Sequence, residues 1–440
     1  MKPKKVVIAF CVLVVAVVGV KYAMTEPVHL SDFDQEVVRH AQAMREEGMK
    51  TFRFDTFGSE AFWGDALQLH KAIVGEKNGG IGPGVSPKTA LSVGLKVDAD
   101  ALPESLKKDL KAGKVNLDDP ATTVALLKLN AILGVTAFTD DKGSVSSMGV
   151  QCALCHSTVD DAFAPGIGRR LDGWANRDLN VGAIIALAPS HKPFIDLLGV
   201  DATTVKKVLN SWGPGRYDAE LDKDGKAFRP DGKQAGTLIP PAFGLAGVNL
   251  STWTGYGSVT YWNAYVGVTQ MHGSGTFFDP RFGNAEQYPV AAKSGSYNSR
   301  GVPDRVSPKL AALHYYQLSI PAPKAPKGTY DEVAYERGRE TFVGKANCAS
   351  CHVPPLYTEP GNNLHAPAEI GVDAFQADRS PTHMYRTAPL AGLWTHQKGG
   401  FYHDGRFATL LEVIDHYDVH FKLQLSTEEK MDLIEFLKGI

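Results

Sequence analysis

The chain has 440 residues, 43% hydrophobic and 21% charged, an ordinary globular composition that argues against wholesale disorder. That length suffices for two or three domains, each burying its own core. A formal net charge of −2 lacks the basic excess that nucleic-acid binding needs, so no nucleic-acid partner is expected.

The chain opens on Lys2, Lys4 and Lys5 ahead of an unbroken apolar run over 6–20, closed by Lys21 and Tyr22. A basic start followed by a hydrophobic stretch is the pattern of an export signal. Lys21-Tyr22-Ala23 makes a poor cleavage site, and bulky Phe10 before Cys11 disfavours lipoprotein processing. The expectation is a signal anchor over 1–25, with Lys21 snorkelling to the interface. Because the run falls short of the ~20 residues of a full span, a cleaved signal peptide stays open. Either way the remainder is expected in the periplasm, tethered to the inner membrane where the anchor is kept.

Further along, 120–134 ("PATTVALLKLNAILG") predicts a helix leading into "QCALCH" at 151–156. A loop over 164–174 follows, and the Pro165 carbonyl is expected to orient His156. Residues 213–257 read as irregular, rich in glycine, proline and charge. The stretch 257–268, "GSVTYWNAYVGV", fits a strand or a buried helix. Residues 321–328, "PAPKAPKG", form the clearest linker. After it come a predicted helix at 331–343, the second motif "NCASCH" at 347–352, and a terminal helix. Ser426 and Glu429 give that last helix a capping box. Gly338 is expected to let the terminal helix cross closely. The fold class is therefore mainly α, two cytochrome c-like haem domains with long loops behind an N-terminal anchor or signal. The boundaries are 1–25, 26–320 for the first haem module, 321–328 for the linker and 329–440 for the second domain.

Four of the five cysteines stand in the two Cys-x-x-Cys-His motifs, and Cys11 lies in the N-terminal apolar run. A four-thiolate zinc site would need both pairs to converge and has no use for the histidines. A thioredoxin-like redox pair needs a strand–helix context and is not expected twice. Covalent c-type haem attachment explains every residue. Two thiols three positions apart reach the two vinyl groups of one porphyrin, and the adjacent histidine falls beneath the iron. The expected haem sites are Cys152, Cys155 and His156, and Cys348, Cys351 and His352, with His156 and His352 as proximal iron ligands. The cofactors are thus two covalently bound c-type haems.

The second module resembles the C-terminal domain of the dihaem cytochrome c peroxidase and MauG superfamily. The likeness is carried by "LHAPAEIGVD" at 364–373, "YRTAPLAGLW" at 385–394 and "YHDGRFATLLEVIDHY" at 402–417. Tyr417 falls where that superfamily places the sixth ligand of the second haem. Peroxidases use methionine there and the MauG branch tyrosine, so the resemblance implies a MauG-like arrangement. His403, His416, His420 and Met384 are rivals, and His403 is expected to be a structural or propionate contact. The first module lacks a recognisable Trp-Asp-Gly-Arg segment and active-site glutamate, so the catalytic residues are unknown. Its stretch 51–73, "TFRFDTFGSEAFWGDALQLHKAI", is similar to the rubber-oxygenase-type dihaem cytochromes.

No methionine occurs between His156 and Met271, whereas a Met/His electron carrier offers one roughly 50–70 residues after its motif. The first iron is expected to be open, with His191, Met271 and His272 as alternatives that would close it. Trp174 is expected either to relay electrons between the haems or simply to pack. The function expected is electron transfer, with peroxide reduction or oxygen activation at the first haem. The alternatives are a pure electron carrier or an oxygenase acting on an organic substrate. An electron-donor cytochrome or a membrane quinol-oxidising system is the expected partner. Relatives carry calcium between their domains; no compact acidic loop announces it here, and calcium stays open.

Overall fold

A computed structural model of the chain describes residues 30–440. The anchor or signal expected over 1–25 lies outside the described residues. Among those described, no helix is long and apolar enough to cross a membrane. Two units are distinguished, one ending at Ala43 and one running from Met44 to Ile440. The described part of the first is the start of the Asp32–Phe54 helix. The second holds everything below.

Helices dominate, and strands form five small two-stranded sheets among the described residues. Many helices start where a short polar side chain satisfies the orphan amides of the first turn. Asp119 accepts from the Ala121 amide to open Pro120–Lys128, and Ser258 accepts from Tyr261 to open Val259–Tyr265. The helix expected over 120–134 stops at Lys128. Asn130 and Gly134 take positive φ, and the antiparallel pair Val135–Thr139 with Val145–Val150 intervenes before the first motif. The stretch 257–268 is helical: Val259–Tyr265 runs on into a π-helical segment, Val266–Gln270.

Near the end of the chain, Glu332–Val343 and Thr427–Gly439 cross as expected. A Cβ on Gly338 would lie 2.0 Å from the Asp432 carbonyl oxygen, so only glycine allows this approach. Arg337 locks the crossing by donating twice to Asp432 at 2.7 Å. Phe342 and Phe436 pack at 4.9 Å between ring centroids beneath it. The capping box of Ser426 and Glu429 is formed, and Thr409 with Glu412 makes another at the head of Leu410–Phe421.

Residues on either side of the 321–328 stretch are joined by buried polar contacts. Arg379 is 1% exposed and binds Asp224 at 2.7 and 3.0 Å and Asp218 at 2.9 Å. Arg386 donates to the carbonyls of Leu250 and Thr252 at 2.7 and 2.9 Å. Trp394 donates to the Pro323 carbonyl and packs edge-on against Trp174 at 5.4 Å.

Candidate haem site

The first motif is wound into one helical turn, Ala153–His156, with the His156 amide donating to the Cys152 carbonyl at 3.1 Å. That turn puts both sulfurs on one side of the backbone, the spacing two vinyl groups require. It is seated on Gly134, whose carbonyl accepts from the Gln151 amide at 3.0 Å. Gly134 has φ +79°, and a Cβ there would lie 2.1 Å from the Leu154 Cα. His156 Nδ1 meets the carbonyl of Pro240 at 3.1 Å. This replaces the expected Pro165, which lies in the turn before the Ile167–Gly168 strand. A carbonyl can only accept, so the proton sits on Nδ1 and the lone pair on Nε2.

The second motif repeats the arrangement on different supports. Asn347 enters it with φ +49°, a left-handed conformation asparagine tolerates, and Cys348–Ser350 forms a 3-10 turn. The His352 amide donates to the Cys348 carbonyl at 2.9 Å, and His352 Nδ1 to the Tyr357 carbonyl at 3.1 Å. Burial lowers both imidazoles, His156 to about 4, so both are neutral and able to ligate at pH 7.

Both motifs open on one continuous cavity of about 810 Å³ with a largely aliphatic and aromatic wall. Tyr417, Tyr402 and His403 line it with the second motif, and Trp63, Gln270 and Met271 are also on its wall. Burial pushes the Tyr417 phenol up, and the Cys348 and Cys351 thiols act on it in the same direction, so it lies beside the second motif. Of the rival histidines, His403 shares the cavity wall and the other two are placed elsewhere. His416 and His420 bind the carbonyls of Ile370 and Glu369 at 3.1 and 2.9 Å. His191 is buried off the cavity wall, His272 is stacked on Phe62 at 3.5 Å, and Met384 is absent from the wall. Of the residues expected to compete for the first iron, Met271 alone borders the cavity. Trp174 sits behind the wall, edge-on to the wall residue Phe243 at 6.5 Å.

These residues fit two covalently held haems. All four motif cysteines are free thiols. The four sulfurs do not gather: among the described residues, the group close enough to share an ion is Cys351, Glu359 and His365. That disposes of the four-thiolate zinc reading. Burial also pushes Cys152 and Cys155 up to about 12 and Cys348 to about 11, opposite to the lowered values of redox-active thiols. Finally, His403 Nε2 is buried on the cavity wall with no hydrogen-bond partner. Such an orphan suits a polar group of a bound cofactor. The Pro240 carbonyl, distant from its histidine in sequence, carried no signal that could have revealed it.

MauG, a methylamine utilization protein of Methylorubrum extorquens, is 31% identical over 154 residues. This similarity supports assigning the matched stretch to the dihaem cytochrome c peroxidase and MauG superfamily. The match covers 30% of this chain, which spans 43% of MauG's own length. A MauG-like protein associated with microbial copper homeostasis overlaps 50% of the chain and 79% of its own, at TM-score 0.31 and 18% identity. Hydrazine synthase of Kuenenia stuttgartiensis overlaps 49% of the chain and 76% of its own, at TM-score 0.28 and 18% identity. Overlaps this loose add nothing to the assignment to the superfamily. No family model matches the chain.

Proposed function

We propose that the chain is an exported dihaem c-type cytochrome that passes electrons from the second haem to the first, where peroxide is reduced or dioxygen activated. Cys152 and Cys155 would hold one haem and Cys348 and Cys351 the other, each through thioethers. His156 and His352 would be the proximal ligands, and Tyr417 the distal ligand of the second haem. The reading divides the exported chain at 321–328, with haem modules over 26–320 and 329–440. The observation that carries it is the pair of Cys-x-x-Cys-His turns opening on one cavity, each imidazole aligned by a backbone carbonyl on Nδ1.

A c-type haem supplies one-electron chemistry and, where a coordination position is open, a place for an oxidant to bind. The chain's own residues do the rest. Pro240 and Tyr357 fix ring orientation and keep the lone pairs on Nε2. The apolar wall excludes water, which strengthens every charge interaction inside it. An electron-donor cytochrome or a membrane quinol-oxidising system would supply the electrons, and the inner-membrane tether would keep the protein near it.

A second reading, an electron carrier alone, is favoured by Met271, a thioether side chain on the cavity wall able to close the first site. Intact mass of denatured protein tests attachment: two haem additions are expected, and none would refute the proposal. Electron paramagnetic resonance of the ferric protein separates the readings. A high-spin signal with carbon monoxide binding after reduction marks an open iron, whereas two low-spin haems that ignore carbon monoxide leave the carrier.

A further inference from the structure

The Leu221–Asp224 turn packs a knot of ionisable groups beside the cavity. Lys223, 1% exposed, is paired with Glu220 and donates to the Tyr256 hydroxyl at 2.7 Å. Its ammonium also lies 4.7 Å from the Tyr265 ring centroid and 4.6 Å from that of Phe282. Asp218 and Asp224 share Arg379. Each of these charges has its partner.

Asp222 is held differently, by neutral donors. Gln270 Nε2 donates to Asp222 Oδ2 at 2.9 Å, and the Tyr265 hydroxyl to Oδ1 at 3.3 Å. The Gln270 carbonyl oxygen in turn accepts from the Tyr217 hydroxyl. Gln270 and Tyr217 both line the cavity, and Tyr217 lies within electrostatic reach of Cys155. Two hydrogen bonds therefore join the Asp222 carboxyl to the wall at the first motif. The carboxyl lies deep, behind the Gln270 side chain that lines the cavity.

We propose that Asp222 is a redox-linked proton site, its carboxylate taking up one proton when one electron enters the haem at the first motif. The inference rests on the haem reading above. The electron comes from a one-electron donor and the proton from water; the product is the neutral acid, and no bond is made to iron. Added negative charge at the cavity raises the affinity of a nearby carboxylate for a proton. Burial already pushes Asp222 up to about 7, against the opposing Lys223 and with Glu220 and Asp218 adding to the rise. Tyr265 and Tyr217 are the other titratable groups that face it. The carboxyl therefore changes state near neutral pH, where a redox-linked proton is useful. The reduced form binds more protons, so reduction is favoured at low pH and weakens as pH rises.

Spectroelectrochemical titration of the holoprotein from pH 5.5 to 8.5 tests this. The first-motif haem should lose up to about tenfold in its reduction equilibrium per pH unit over part of that range, and Asp222→Asn should flatten the dependence. A dependence that persists in Asp222→Asn, or its absence from the unaltered protein, overturns the proposal. Redox-difference infrared spectroscopy needs no variant. A protonated-carboxyl band gained on reduction at neutral pH is expected, and its absence also overturns the proposal. Loss of any haem spectrum would instead bring down the haem reading, so the two failures are distinguishable.

Discussion

His156 and His352 show what a single hydrogen bond decides. An imidazole with a protonated Nδ1 offers its lone pair at Nε2 in a fixed direction, and a carbonyl partner cannot reverse the tautomer. Tyr417 is the residue whose role is most open to test. It lies on the cavity wall beside Cys348 and Cys351, with the Tyr402 ring at 6.1 Å. In Tyr417→Phe the absorption spectrum of the haem at the second motif should change and that of the other should not. An unchanged spectrum would strike Tyr417 from the ligand set. The resemblance implied this tyrosine as a distal ligand of the second haem, and its side chain lies on the wall of the cavity.

Elements were legible where their signals are local. The capping box at Ser426 and the helix Glu332–Val343 each follow from residues within one or two turns, and Gly338 marks where that helix can be approached closely. Gly338→Ala should cost about 1–3 kcal/mol, since the added methyl would overlap the Asp432 carbonyl and the aromatic packing below resists a shift. Chemical denaturation checks it; an unchanged midpoint would mean the two helices separate freely. The Val135–Thr139 and Val145–Val150 hairpin was not legible. Its apolar residues continue the pattern of the helix before it, and pairing with a partner strand leaves little trace in one strand alone.

Across the whole molecule, the second motif's half is fastened to the first by charge buried out of water. Arg379 neutralises Asp218 and Asp224, and its removal strands two carboxyls. Arg379→Met should therefore destabilise the protein by about 3–5 kcal/mol. The readout is the denaturation midpoint of the holoprotein. A loss below about 1 kcal/mol would show that the two aspartates simply become protonated. Burial already moves Asp218 up to about 6, against Arg379, which shows how far the site depends on that guanidinium.

The sequence by itself determined the two Cys-x-x-Cys-His motifs on which the haem proposal rests, because thiol spacing and the adjacent histidine act within one helical turn. It also determined the helices with strong caps. Tertiary structure alone decided which carbonyl holds each histidine, that one cavity meets both motifs, and that Asp222 reaches its wall through Gln270. Those are contacts between residues far apart in the chain, set by how the whole core packs, and a linear pattern encodes no distance between them.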